Sequence, residues 1–206
     1  MSDRARRVVA ADPFARANPR LVAAAARAGG LGILDVADGS DLHARVADLR
    51  RRGVERWWLR PGAELAPAAV GALADRPEAV LLAGDVIDAA TVAAWRDVVA
   101  DVVVQVVSRA EAELALAAGA TGLVASGSEA GGRVGDTEAS ILFQHLVGLD
   151  VAVWARGGIG RHTAAAVLAG GGAGVLVDSQ LALAREVPTG DDLRRALAAM
   201  DGSETR

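Results

Sequence analysis

DVVVQVVSRAEAELALAAGATGLVA, residues 101–125, holds one complete period of the pattern on which the chain is built. A valine-rich run, Asp101–Val107, has no polar alternation, as expected of a strand covered on both faces. An alanine- and leucine-rich stretch with helical spacing, Ala110–Ala118, follows, and Gly119 supplies the left-handed stop. A second apolar run, Gly122–Ala125, starts at once. Two strands separated by a helix pair in parallel, because a short hairpin cannot join them.

The same period recurs outward in both directions. The other apolar runs are 7–11, 31–36, 56–59, 79–83, 151–155 and 174–177; the helical stretches are 19–28, 42–52, 66–74, 89–99, 138–147, 163–168 and 192–199. Eight strand–helix units in 206 residues leave about 26 residues per unit, the scale of a small (β/α)8 barrel. Such even spacing favours a compact (β/α)8 TIM barrel over an open doubly wound sheet. The reading is one domain over residues 1–200. The polar end DGSETR, 201–206, reads as a tail or a linker to a further domain.

Composition removes whole classes of chemistry. The chain has no cysteine, tyrosine or lysine, so thiolate metal sites, cysteine nucleophiles, tyrosine acids and Schiff-base lysines are excluded. Without lysine there is no Walker-type phosphate loop, and Gly170–Gly172 reads as a helix stop. The net charge of −4 gives no footprint for nucleic acid or an anionic membrane surface. No apolar stretch follows the basic start, so neither a signal peptide nor a membrane span is expected, and a cytoplasmic setting fits.

In a barrel of this kind the site lies at the C-terminal strand ends. The residues at or just past those ends are Asp12, Asp35, Arg60, Asp85, Ser108, Glu129, Arg156 and Asp178. Five are acidic and two are arginines, and Arg133 stands close by on the sixth loop. Such a ring either closes on itself through ion pairs, with Arg156 reaching Glu129 or Asp178, or receives a cationic, hydroxyl-rich or metal ligand. No paired-histidine metal spacing is present. His162 stands at a helix start beside a glycine pair, as a ligand contact or a surface residue; His145 and His43 read as helix-surface residues. The adjacent Trp57 and Trp58 must face opposite sides of their strand, one filling the barrel interior. Trp154 has the same interior reading.

Two segments carry a family likeness. GATGLVASGSEAGGRVG, residues 119–135, and WARGGIGRHTAAAVLAGGGAGVLVDSQLAL, residues 154–183, resemble the sixth to eighth strands of nitronate monooxygenases and FMN-dependent enoyl-ACP reductases. LVAAAARAGGLGIL (21–34) and VVSRAEAELALAAGA (106–120) extend the likeness to about half the chain. The resemblance implies an FMN oxidoreductase barrel. Gly157, Gly158 and Ile159 would hold the flavin phosphate, with Asp178 and Ser179 on the opposite loop. Glu129, Gly131, Gly132 and Arg133 would line the flavin and substrate side. Bare glycine N–H groups and the following helix N-terminus suit an anion.

The departures fall in that same place. Arg133 stands where the family has its catalytic histidine, and a guanidinium cannot accept a proton. Asp178-Ser179 replaces a Gly-Thr pair, Asp12-Pro13 replaces a small-residue loop, and the chain is short for the family. The resemblance thus implies an altered or lost centre, in which Arg133 would anchor an acyl or carboxylate substrate. The end of the second segment also resembles the N-terminal barrel of polyketide- or fatty-acid-synthase-like multidomain proteins. That implies neighbouring synthase domains as partners, and, as the alternative, a cofactor-free barrel serving as a structural or docking module.

Overall fold

A computed structural model describes residues 7–84 and 88–200. Its eight parallel strands close in sequence order, β1 pairing with β8 as well as with β2. The strands are β1 (Val8–Ala10), β2 (Leu31–Val36), β3 (Trp58–Pro61), β4 (Ala79–Leu82), β5 (Asp101–Val106), β6 (Gly122–Ser126), β7 (Ala152–Arg156) and β8 (Gly174–Val177). The helices between and after them are α1 (Pro19–Arg27), α2 (Leu42–Arg51), α3 (Pro67–Gly71), α4 (Ala89–Arg96), α5 (Arg109–Ala117), α6 (Ala139–Leu146), α7 (Arg161–Ala169) and α8 (Asp191–Ala199). The expected TIM barrel is therefore the observed one. Asp85 and the 201–206 tail lie outside the described residues.

One register differs from the expectation. β3 begins at Trp58 and runs to Pro61, opposite Ile33 to Val36 of β2, instead of spanning 56–59. Arg56 stays below the strand, where its Nε donates to Glu78 at 2.7 Å. Arg60 is thereby inside the strand and not beyond it.

Strand parity then sorts the residues. One set packs outward under the helices with Trp57 among them. The other fills the barrel: Trp58 and Trp154 meet edge to face at 5.0 Å and 81°, walled by Ile33, Leu81, Val103 and Val124. Two indoles fill most of so narrow an interior, so it is a packed core and not a pore. Outside the strands, a Cβ on Gly32 would lie 2.5 Å from the Cα of Val22, so α1 can seat on β2 only over a glycine.

α8 is the exception to the packing. It is amphipathic, yet none of its residues is buried, and Leu193 and Met200 stand exposed. An apolar cleft of about 350 Å³ lies at the seam of β1 and β8, lined by Leu21, Ala24, Ala25 and Ala28 of α1 together with Val177 and Leu181.

Candidate functional site

On six strands, two residues past an apolar interior position, the chain presents a polar one. Asp35 follows Ile33, Arg60 follows Trp58, Gln105 follows Val103, Ser126 follows Val124, Arg156 follows Trp154 and Asp178 follows Leu176. Period-two geometry thus lays a polar layer on the tryptophan floor, at the C-terminal end of the barrel. Gln105 belongs to this layer although it lies inside its apolar run, and Ser126, the last residue of β6, belongs to it too.

On the β6–β8 side the layer closes on itself. Arg156 donates through Nε to Asp178 at 2.8 Å, through Nη1 to Ser126 Oγ at 3.0 Å and through Nη2 to the Gly131 carbonyl at 2.7 Å. Nη2 also lies 2.6 Å from the Asp178 carboxylate. Of the two partners expected for Arg156, Asp178 is the one it takes. Arg156 and Asp178 are only 6% and 7% exposed, so this bridging offsets a large desolvation cost. The other oxygen of Asp178 accepts the Ser179 N–H at 2.6 Å, capping a short 3-10 turn, Ser179–Leu181. Gln180 Nε2 donates to the Ile159 carbonyl at 2.7 Å, tying the β8 turn directly to the Gly157–Ile159 loop. The Ile159 side chain itself is buried in the core between strands and helices.

Glu129 does not pair with Arg156. Its carboxylate accepts the Ala139 N–H at 2.9 Å, at the favourable N-terminal end of α6. It also rests on glycine: added Cβ atoms at Gly127, Gly157 and Gly158 would come within 2.5, 3.4 and 3.4 Å of its oxygens. The glycine surface that the sequence offers to a phosphate faces the protein's own carboxylate.

On the β2–β5 side the mouth stays open as a cavity of about 510 Å³. Asp35, Arg60, Gln105, Arg133 and Arg156 line it, as do Gly131 and Gly132. Glu129, Gly157, Gly158, Ile159, Asp178 and Ser179 do not. The residues expected to form one site are therefore divided: Gly131, Gly132 and Arg133 line the cavity, and the phosphate-side set does not.

Asp35 is ion-paired with Arg60, and its second oxygen is buried without a hydrogen-bond partner. Burial pushes its carboxyl up to about 6, against the opposing pull of Arg60 and with a small addition from Asp12. The Gln105 amide, in a residue 7% exposed, has no hydrogen-bond partner among the described residues. Arg133 turns back to α5, where it bridges both oxygens of Glu111, Nη1 to Oε2 at 3.0 Å. The Arg133 hydrogen bond holds the Glu111 carboxyl below its usual range, helped by the Val107 N–H. At the rim, Asp12 accepts from the Phe14 N–H and Asn18 Nδ2, and Ala15 sits at φ +52° against the cavity.

The remaining candidates take structural places. Ser108 caps α5 by accepting the Glu111 N–H at 3.2 Å. His43, His145 and His162 are exposed on helices. Among the described residues no group of three potential ligands could hold a metal, and no helix is long and apolar enough to cross a membrane.

With this geometry in hand, comparison with solved structures places the fold. FabK from Thermotoga maritima superimposes with a TM-score of 0.81 at 21% identity, over 95% of this chain and 65% of that one. A nitroalkane oxidase from Streptomyces ansochromogenes gives 0.78 at 24%, over 92% and 70%. A thiamine phosphate pyrophosphorylase from Pyrococcus furiosus gives 0.65 at 21%, over 94% and 92%. The resemblance read from residues 119–135 and 154–183 therefore holds at the level of the fold, and the chain spans about two thirds of the first two barrels. No protein-family model and no curated protein matches it.

Proposed function

We propose that this chain is an oxidoreductase-type barrel of the nitronate monooxygenase and enoyl-reductase kind whose centre is altered so far that it works without FMN. The observation that carries this reading is the Arg156–Asp178 bridge. A flavin phosphate at Gly157–Ile159 needs the facing β8 turn as its second wall. The donor there, Ser179 N–H, is spent on Asp178, and Gln180 joins the two walls directly. Asp178 cannot rotate aside without stranding a buried guanidinium. Glu129 adds a second carboxylate over the glycines. A carboxylate about 4 Å from a phosphate costs roughly 4 kcal/mol per unit charge at an effective dielectric near 20. Backbone hydrogen bonds at about 1 kcal/mol each do not recover that. The residues present do not fit FMN, and Arg133, bound to Glu111, supplies no base.

The test is an absorbance spectrum of the purified protein and an FMN fluorescence titration. The expected result is a colourless protein with no saturable quenching in the wild type. Flavin bands after purification, or tight saturable quenching, would return the chain to the FMN oxidoreductases.

One observation favours a complementary reading as a docking module among neighbouring synthase domains. α8 keeps its apolar side uncovered, and the β1–β8 seam beside α1 is an apolar cleft. Uncovered apolar surface of this kind suits contact with an adjoining domain. Leu193→Ser in the barrel joined to its neighbour should weaken their contact while leaving the barrel's melting temperature unchanged. An unaltered contact would remove this reading.

A further inference from the structure

The cavity over β2–β5 has a chemistry of its own. Among the described residues its charged lining is three arginines, Arg60, Arg133 and Arg156, against one carboxylate, Asp35. The carboxylates that balance the other two arginines, Glu111 and Asp178, stand behind them and do not line the cavity. The face presented to a ligand is therefore cationic although each arginine is paired. Gln105, over nine-tenths buried, lines the same space with its amide unspent. An amide held in place by a buried residue but open to the cavity can be taken up by a ligand without breaking a protein hydrogen bond. Val36, Ala37, Pro61 and Ala83 supply an apolar wall beside these groups. About 510 Å³ is ample for a small organic molecule.

We propose that this cavity is a binding site for a short-chain carboxylic acid, its carboxylate held by Arg133 and the Gln105 amide and its carbon chain against the Val36–Pro61 wall. A carboxylate suits the site better than a phosphate. The surplus of positive charge is small, and the glycine surface nearby already carries the Glu129 carboxylate. The proposal rests on the reading that no flavin occupies the mouth.

Isothermal titration calorimetry of the 206-residue chain with butanoate, butylammonium and inorganic phosphate tests it. Butanoate should bind saturably. Gln105→Leu and Arg133→Gln should each weaken it about tenfold or more, the loss of one charge-assisted hydrogen bond. Arg133 stands in a partly exposed loop, so its variant keeps the test alive even if Gln105→Leu does not fold. Butylammonium binding without butanoate, equal binding of phosphate, or butanoate binding indifferent to both substitutions would each overturn the assignment. A colourless protein that ignores butanoate would sink this proposal alone. A yellow protein would instead sink the flavin-free reading beneath it.

Discussion

The two sides of the barrel mouth are finished differently. Over β6, β7 and β8 the polar layer is a closed network in which Arg156 reaches Asp178, Ser126 and the Gly131 carbonyl. Over β2, β3 and β5 the same layer leaves an Asp35 oxygen buried without a partner and turns the Gln105 amide to a cavity. Both sides arise from one rule, a polar residue two positions beyond the core. The difference teaches that the rule sets where polar groups go, while their mutual reach decides whether they become structure or site. Arg156 and Asp178, on adjacent strands, satisfy each other. Gln105 lies opposite Val124 of β6, an apolar partner that offers it nothing.

The comparison breaks first if Asp178 is removed. Asp178→Ala should cost about 3–5 kcal/mol in urea unfolding, because it leaves a buried guanidinium uncompensated. A loss under about 1 kcal/mol would mean that the network is not what closes that side.

Asp35 should behave in the opposite sense. Its folded-state carboxyl, at about 6, lies above the ordinary value of 3.8, so folding favours the protonated form. That contribution is fully present below pH 3.8 and is lost as pH rises through 6, a difference of at most roughly 3 kcal/mol. The stability of the wild type relative to Asp35→Asn should therefore fall between pH 4 and pH 7. A constant difference across that window would show that the ion pair with Arg60 fully offsets the burial.

A smaller effect separates the two glycine loops. Gly157 lies at φ +107°, with an added Cβ 3.1 Å from the Ala130 nitrogen. Gly131 has open space around it and no positive φ. Gly157→Ala should cost about 1–3 kcal/mol and Gly131→Ala within about 0.5 kcal/mol, measured by thermal melting. Equal losses would erase the distinction between a loop held in a left-handed turn and an open one.

Least of all should come from the rim. Glu111→Gln loosens Arg133 in a partly exposed pair and should change stability by about 1 kcal/mol or less. A larger loss would make that pair part of the barrel's closure.

The barrel was legible because its signal is repetition: each run such as Asp101–Val107 is ambiguous alone, and their spacing is not. The Arg156–Asp178 pairing was legible as one of two options, since both residues close strands. Gln105 was not, because a single polar residue inside an apolar run reads as strand interior, and Ser126, just past its run, was passed over for Glu129 on the same loop. Counting by two from Val103 or Val124 would have found them, once the inward parity was known. The surroundings of the glycines at 157 and 158 were not legible, for a physical reason. A sequence shows that backbone is exposed for an anion, but not that Glu129, nearly thirty residues earlier, supplies the carboxylate lying against it. The position of Arg133 was read correctly, while its engagement with Glu111 depends on how α5 meets the β6 loop.

Trp58 and Trp154 carry one more consequence. They stack edge to face directly beneath the polar layer, in a chain that has no tyrosine. Coupled indoles held rigidly in a chiral enclosure give a near-ultraviolet circular dichroism band, here free of phenolic overlap. The floor of the mouth is thus its own chromophore: displacement of the side chains above it perturbs that band without any label being attached.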